Sequence, residues 1–180
     1  MVNWRRRQRV VLGAAFAASV GASSIFLDVV PVLRTRPVTQ QLLLIFVFPV
    51  TACALYLIVP MLQKRQRLFA DSLETDVAVE IITFWVLLFL AAAHVLVLIM
   101  LMDVPSFRPW APRVGAAMIG VTLIAVGNSL PRTRPNLAIG IRTLRTLADR
   151  GLWMLIHRRG GYVLVALGLL IVLSAAFNLP

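Results

Sequence analysis

Two histidines, one cysteine and seven carboxylates are the chain's stock of the residues most used for metal binding and for acid–base work near neutral pH. His94 lies deep in an apolar run and is the only ionisable side chain there. Ionisable groups at such depth are costly and often functional; the other reading is a neutral imidazole bonded to a neighbouring helix carbonyl. His157 follows Trp153 by four residues, so on a helix their rings meet. Cys53 has no partner for an internal disulfide, and with two histidines it is too little for a zinc cage. Asp28, Glu80 and Asp103 fall near the ends of apolar runs, where a carboxylate reaches the headgroup region. Nowhere do a nucleophile, paired carboxylates or metal ligands gather, so the expectation is a protein that binds rather than reacts, with no catalytic residue, metal or cofactor.

The elements that carry these residues are written in the composition. Apolar residues make up 60 % of the 180 and charged residues 14 %, whereas a soluble domain is roughly half apolar and a quarter charged. Five apolar runs lie at about Val10–Val30, Leu42–Leu62, Val79–Met102, Val114–Leu130 and Tyr162–Leu179. Each is near the ~20 residues that cross a hydrocarbon core, and a single span must be helical to satisfy its own backbone. Proline marks the joints at Pro31, Pro37, Pro105, Pro109, Pro112, Pro131 and Pro135, while Pro49 and Pro60 lie inside the second run, where a kink near Pro49 is expected. The fold class read from this pattern is all-α: a polytopic membrane protein of about five transmembrane helices in one membrane domain, 1–180.

A net charge of +11 would suggest nucleic acid in a soluble protein. In so apolar a chain it suggests loops held on the negative side of a bilayer instead. The N-terminal tail, the second loop and the fourth loop share one side and hold fourteen of the eighteen cations; the first and third loops hold Arg34, Arg36, Arg108 and Arg113. The positive-inside rule then puts the N-terminus in the cytoplasm and the C-terminus outside. The basic tail and small-residue run at the start have the form of a secretory signal, with Arg5–Arg7 similar to a twin-arginine motif. The run continues to about Val30, and it is expected to stay as a span.

Several features have both a functional and a plain structural reading. Gly13, Ala17 and Gly21 make a small-residue stripe suited to close helix contact, with a partner or within the chain. The second loop mixes Lys64, Arg65 and Arg67 with Asp71, Glu74 and Asp76, as a docking surface or a solvated connection. Arg34-Thr35-Arg36-Pro37 recurs as Arg132-Thr133-Arg134-Pro135, but the flanks differ and no repeat is inferred.

The fourth loop is too polar to span and too patterned for a linker. Asn136 to Arg142 reads as a loop pivoting on Gly140, and Thr146 with Asp149 resembles a capping box. Leu147, Gly151, Leu152 and Leu155 recur at helical steps, which predicts an interfacial amphipathic helix between the last two spans, ended by Gly160 and Gly161.

The string Gly127-Asn128-x-Leu130-Pro131, Arg134-Pro135-Asn136, Gly140-Ile141-Arg142-Thr143, Thr146-Leu147 and Trp153-x-x-x-His157-Arg158-x-Gly160-Gly161 resembles the signature of the SdpI family. The likeness covers about 114–179, so 113–180 is the SdpI-like part and 1–112 an N-terminal three-helix part without clear family motif. The chain has Leu144-Arg145 where the family usually has Pro-Trp, Ile156 where a threonine often precedes the histidine, and no histidine in Asp28–Gln41, where many relatives carry Pro-x-His. The resemblance implies a protein of a bacterial inner membrane, serving immunity to a secreted toxic peptide, or signalling by holding a repressor at the membrane.

Read physically, the motif predicts a polar pocket at the cytoplasmic face. Asn128 and Asn136 would supply amides, Arg142 and Arg158 cations, Thr143 a hydroxyl, and Trp153 with His157 a flat lid. The alternative is a self-satisfied network pinning the surface helix between the last two spans. The first function expected is non-enzymatic peptide immunity, envelope-stress protection or signalling through that pocket. The partners would be the lipid bilayer, a peptide or membrane protein, or anionic lipid headgroups, and not nucleic acid. The rival is an accessory subunit of a larger membrane complex; a small transporter or membrane enzyme using His94 is a third.

Overall fold

The computed structural model describes residues 37–66, 73–136 and 138–177. The first predicted span, its small-residue stripe, the loop bearing Arg34 and Arg36, and part of the second loop lie outside them. Every element among the described residues is helical: α1 Val38–Gln66, α2 Leu73–Leu101, α3 Ala111–Ser129, a single 3-10 turn Leu130–Arg132, α4 Leu144–Ala148 and α5 Arg150–Phe177.

Four stretches are long and apolar enough to cross a bilayer: Val38–Arg65, Thr75–Leu101, Ala111–Arg132 and Arg150–Phe177. They match the second to fifth predicted spans, each beginning earlier than predicted, the last of them at Arg150 rather than Tyr162. The shortest, of 22 residues, reaches roughly 33 Å at 1.5 Å per residue, enough for a ~30 Å core. Side chains such as Leu43, Val50, Leu57, Val95, Val163 and Leu170 lie on the outside of the helices, as a lipid solvent permits. Helix α1 runs unbroken through Pro49 and Pro60. In a membrane span, the backbone groups that proline frees find other partners locally.

Contacts divide the chain into two units, one drawn from Met1–Ala54 and Leu87–Pro112, the other from Leu55–Val86 and Arg113–Pro180. In the first, Ile45 and Leu101 are the buried centre, with Leu44, Phe46 and Val97 packed around them. His94 is buried in this unit, its ring 6.4 Å from that of Phe48 and tilted 50° to it. The turn after α2 places Asp103 at φ 51°, and its carboxylate is bonded by Arg108.

In the second unit, α3 and α5 run antiparallel in direct backbone contact. A β-carbon on Gly120 would come within 2.7 Å of the Gly168 carbonyl oxygen, and one on Gly168 within 2.6 Å of the Gly120 oxygen. Gly127 and Gly161 repeat the arrangement at 2.7 and 2.6 Å. Each pair lies seven residues from the other along both helices, which brings the same face round after two turns. Helices in lipid gain no hydrophobic drive to associate, so this close approach is how they gain dispersion contacts.

The register also explains where the sequence reading of the fourth loop needs correction. Gly160 and Gly161 do not end a surface helix; α5 passes through both and continues to Phe177. Gly161 is there for its contact with α3, not as a stop. The segment bearing Trp153 and His157 is the beginning of the last apolar helix, and among the described residues of the fourth loop the one α-helix that stands apart from it is the five-residue α4.

Candidate functional site

The site grows from the loop between α3 and α5, and its local structure is set by side chains that cap. Thr143 is the N-cap of α4: its hydroxyl accepts from the Thr146 amide at 3.1 Å, and Thr146 Oγ1 accepts from the Thr143 amide at 2.9 Å. The capping box is therefore Thr143 with Thr146, not Thr146 with Asp149. The Thr146 hydroxyl, buried, donates in turn to the Ile141 carbonyl at 2.9 Å. Asp149 caps the next helix, its Oδ1 accepting from the amides of Gly151 at 2.7 Å and Leu152 at 3.0 Å. A carboxylate at the first turn also complements the helix dipole.

Upstream, Asn136 ties the loop to itself. Its Oδ1 accepts from the Ala138 and Ile139 amides at 2.9 and 2.8 Å, and its Nδ2 donates to the Arg134 carbonyl at 2.8 Å. This is the Asx-turn chemistry that suits asparagine to loops. The Arg134 amide donates to Thr75 Oγ1 on α2 at 2.9 Å. Gln63 of α1 likewise donates to Asp76, so the ends of these helices meet within the second unit.

Trp153 and His157 form the centre. Both are fully buried, and their rings stack with centroids 3.9 Å apart and planes 14° from parallel. The indole Nε1–H donates to the Thr133 carbonyl at 3.1 Å. The imidazole Nδ1 lies 2.8 Å from the Trp153 carbonyl, and Nε2 accepts from the Ile141 amide at 3.0 Å. A carbonyl requires a donor and an amide requires an acceptor, so the ring is the neutral tautomer protonated on Nδ1. Gly140, at φ +123°, passes against these rings.

The predicted site residues thus separate. Thr143, Trp153 and His157 belong to one network, linked through Thr146 and the Ile141 backbone, while Asn136 closes a separate turn within the same loop. The network fastens the loop of residues 133–143 onto the start of α5. Arg142 and Arg158 are exposed, and Asn128 is exposed on a different face of α3. His94 belongs to the other unit and takes no part. Among the described residues no group of three His, Cys, Asp or Glu side chains is placed to hold a metal ion.

The sequence reading missed Thr133, whose backbone takes the indole bond, and Thr75, which takes the loop amide. It also missed Arg132 and Ser129, which line a groove of about 360 Å³ with Asn128, Trp85, Ile81 and Ile124. Arg132 adjoins the signature, and its spacing from Asn128 at i, i+4 was the available signal.

A chain whose described residues form only helices, four of them long and apolar enough to span, with a clamped polar loop before the last, is a multi-pass membrane protein. Residues 132–180 match the model of the SdpI/YfhL protein family. The resemblance read in the signature holds over this segment; Gly127, Asn128, Leu130 and Pro131 lie ahead of it. No curated protein and no solved structure matches the chain.

Proposed function

We propose that this chain is a non-enzymatic protein of a bacterial inner membrane. In this reading its N-terminus is cytoplasmic, and it serves peptide-toxin immunity or envelope signalling by binding a protein or peptide at the clamped loop. The observation that carries the reading is the way the loop's polar atoms are divided. The buried ones are satisfied internally, so they make the loop rigid rather than open to a small ligand. The cations Arg142, Arg145, Arg158 and Arg159 remain exposed at its edge. A rigid surface with outward charge suits a macromolecular partner, because little conformational entropy is lost on binding. The family match and the distribution of cations support the membrane role and the orientation.

The test is made in bacterial cells producing the full chain and challenged with a panel of secreted membrane-permeabilising peptides, with depolarisation followed by a potential-sensitive dye. The chain should delay depolarisation by at least one peptide. The double variant Arg142→Ala, Arg158→Ala should lose that effect while inserting normally. Unchanged depolarisation across the panel, together with no protein retained in a mild-detergent pull-down, would overturn the proposal.

A further inference from the structure

We infer that the groove between α2 and α3 is a binding site for one anionic phospholipid, separate from the clamped loop. Its lining comes from Ile81 and Trp85 on α2, and from Val121, Ile124, Ala125, Asn128, Ser129 and Arg132 along one face of α3 and its final turn. The lining is graded. Arg132, Ser129 and Asn128 lie at the loop end; Ala125, Ile124 and Val121 follow one to two turns deeper, facing Ile81 and Trp85. The bond from Arg134 to Thr75 puts the start of α2 at this same end, so the polar end of the groove is at the helix termini and the apolar end inside the span.

The dimensions fit a lipid within one leaflet. From Arg132 to Val121 the groove descends roughly 16 Å at 1.5 Å per residue, about half of a ~30 Å hydrocarbon core. An acyl chain lying against Trp85, Ile124 and Val121 would therefore end near the midplane, with its headgroup at Arg132. The charge is complementary. Arg132 is exposed, and no ion pair or hydrogen bond occupies its guanidinium among the described residues. The Asn128 amide, one turn away, is exposed beside it with donors of its own. The Ser129 hydroxyl is bonded back to the Ala125 carbonyl at 3.0 Å, so the headgroup contacts fall to Arg132 and Asn128. A planar guanidinium makes paired bonds to a phosphate, and basic pockets between spans are where acidic headgroups bind. A volume of about 360 Å³ suits one chain of a lipid; an apolar helix of a partner protein would need a wider face.

Native mass spectrometry of the full chain tests this, in nanodiscs containing equal dioleoyl-phosphatidylglycerol and dioleoyl-phosphatidylcholine. One phosphatidylglycerol should be retained preferentially. Arg132→Gln should reduce its retention about fivefold, the worth of one cation near a membrane surface. Arg132→Lys should keep most of it, and Ala125→Phe, which fills the apolar end, should lose it with the charge intact. Arg65→Gln, an exposed cation outside the groove, should behave as wild type. Equal retention of both lipids, or wild-type retention by Arg132→Gln, overturns the proposal. Displacement by millimolar inorganic phosphate would reduce the site to an anion site and overturn it too. So would a co-purifying peptide mass in place of the lipid. Since the clamped loop is untouched by these variants, protection from peptides is scored independently.

Discussion

Gly140 lies directly against His157: a β-carbon on the glycine would stand 2.3 Å from Nε2 and 3.0 Å from Cη2 of the stacked Trp153. The same glycine has φ +123°, a conformation that side chains rarely adopt. Space and backbone therefore make one demand at one residue. Gly140→Ala should cost about 1–3 kcal/mol from the backbone alone, and the clash should push His157 away from the Ile141 amide. The checks are a lower thermal midpoint in detergent and faster tryptic cleavage after Arg142. A variant as stable and as protease-resistant as wild type would show that the loop is not clamped as described.

The His157 tautomer can be read directly. With Nδ1 facing the Trp153 carbonyl and Nε2 accepting from Ile141, nitrogen NMR of histidine-labelled protein at neutral pH should show Nδ1 protonated and Nε2 bare. A proton added to Nε2 would face the Ile141 N–H, donor against donor, so ring protonation should release the loop. His157→Ala should leave that amide unsatisfied, at about 1–3 kcal/mol. A signal with Nε2 protonated at neutral pH would contradict the network.

Asp149 offers a separate test of where the last helix begins. It accepts from both Gly151 and Leu152, so Asp149→Ala should destabilise α5 by about 1 kcal/mol, while Asp149→Ser should recover most of that. If the capping residue were Thr146 instead, Asp149→Ala would be nearly silent. Thermal unfolding of the three proteins, with and without the change, separates the two.

Those tests also mark how far the residues speak for themselves. The spans were legible because a bilayer demands long apolar helices, and the run from Leu42 to Leu62 has no other fate. The i, i+4 spacing of Trp153 and His157 announced a ring contact, and Gly140 announced the pivot. What spacing could not show is whether polar atoms face a pocket or one another. Asn136 and His157 have the same chemistry in either case, and only the positions of Ile141, Thr133 and the loop amides decide it. Gly160-Gly161 was misread for a related reason. A glycine pair is a stop signal in water, yet in a membrane it is also a contact face, and the partner carbonyl of Gly127 is far away in sequence. Arg132 reads from sequence as one more topology charge, because its groove is completed by α2, a separate span.

The glycine register yields the sharpest stability prediction. Gly120 and Gly168 touch, as do Gly127 and Gly161, with each would-be β-carbon 2.6–2.7 Å from the opposing carbonyl oxygen. Alanine at any of the four forces α3 and α5 apart or displaces the side chain next in line, Val172 for Gly120, Val165 for Gly127, Pro131 for Gly161 and Ile124 for Gly168. Overpacking of this kind costs about 1–3 kcal/mol. Gly160 provides the internal control, because a β-carbon there meets nothing nearer than 3.7 Å. Gly161→Ala should therefore lower the thermal midpoint in detergent clearly, and Gly160→Ala should leave it unchanged or slightly raised. The two pairs lie two turns apart, roughly 10 Å along the helix, far enough for independent effects to add. Gly120→Ala with Gly127→Ala should thus cost close to the sum of the single variants. Gly127→Ala with Gly161→Ala should cost less than its sum, since the first substitution has already opened the contact that the second would open. Equal behaviour of Gly160→Ala and Gly161→Ala would mean that the two helices do not pack through these carbonyls.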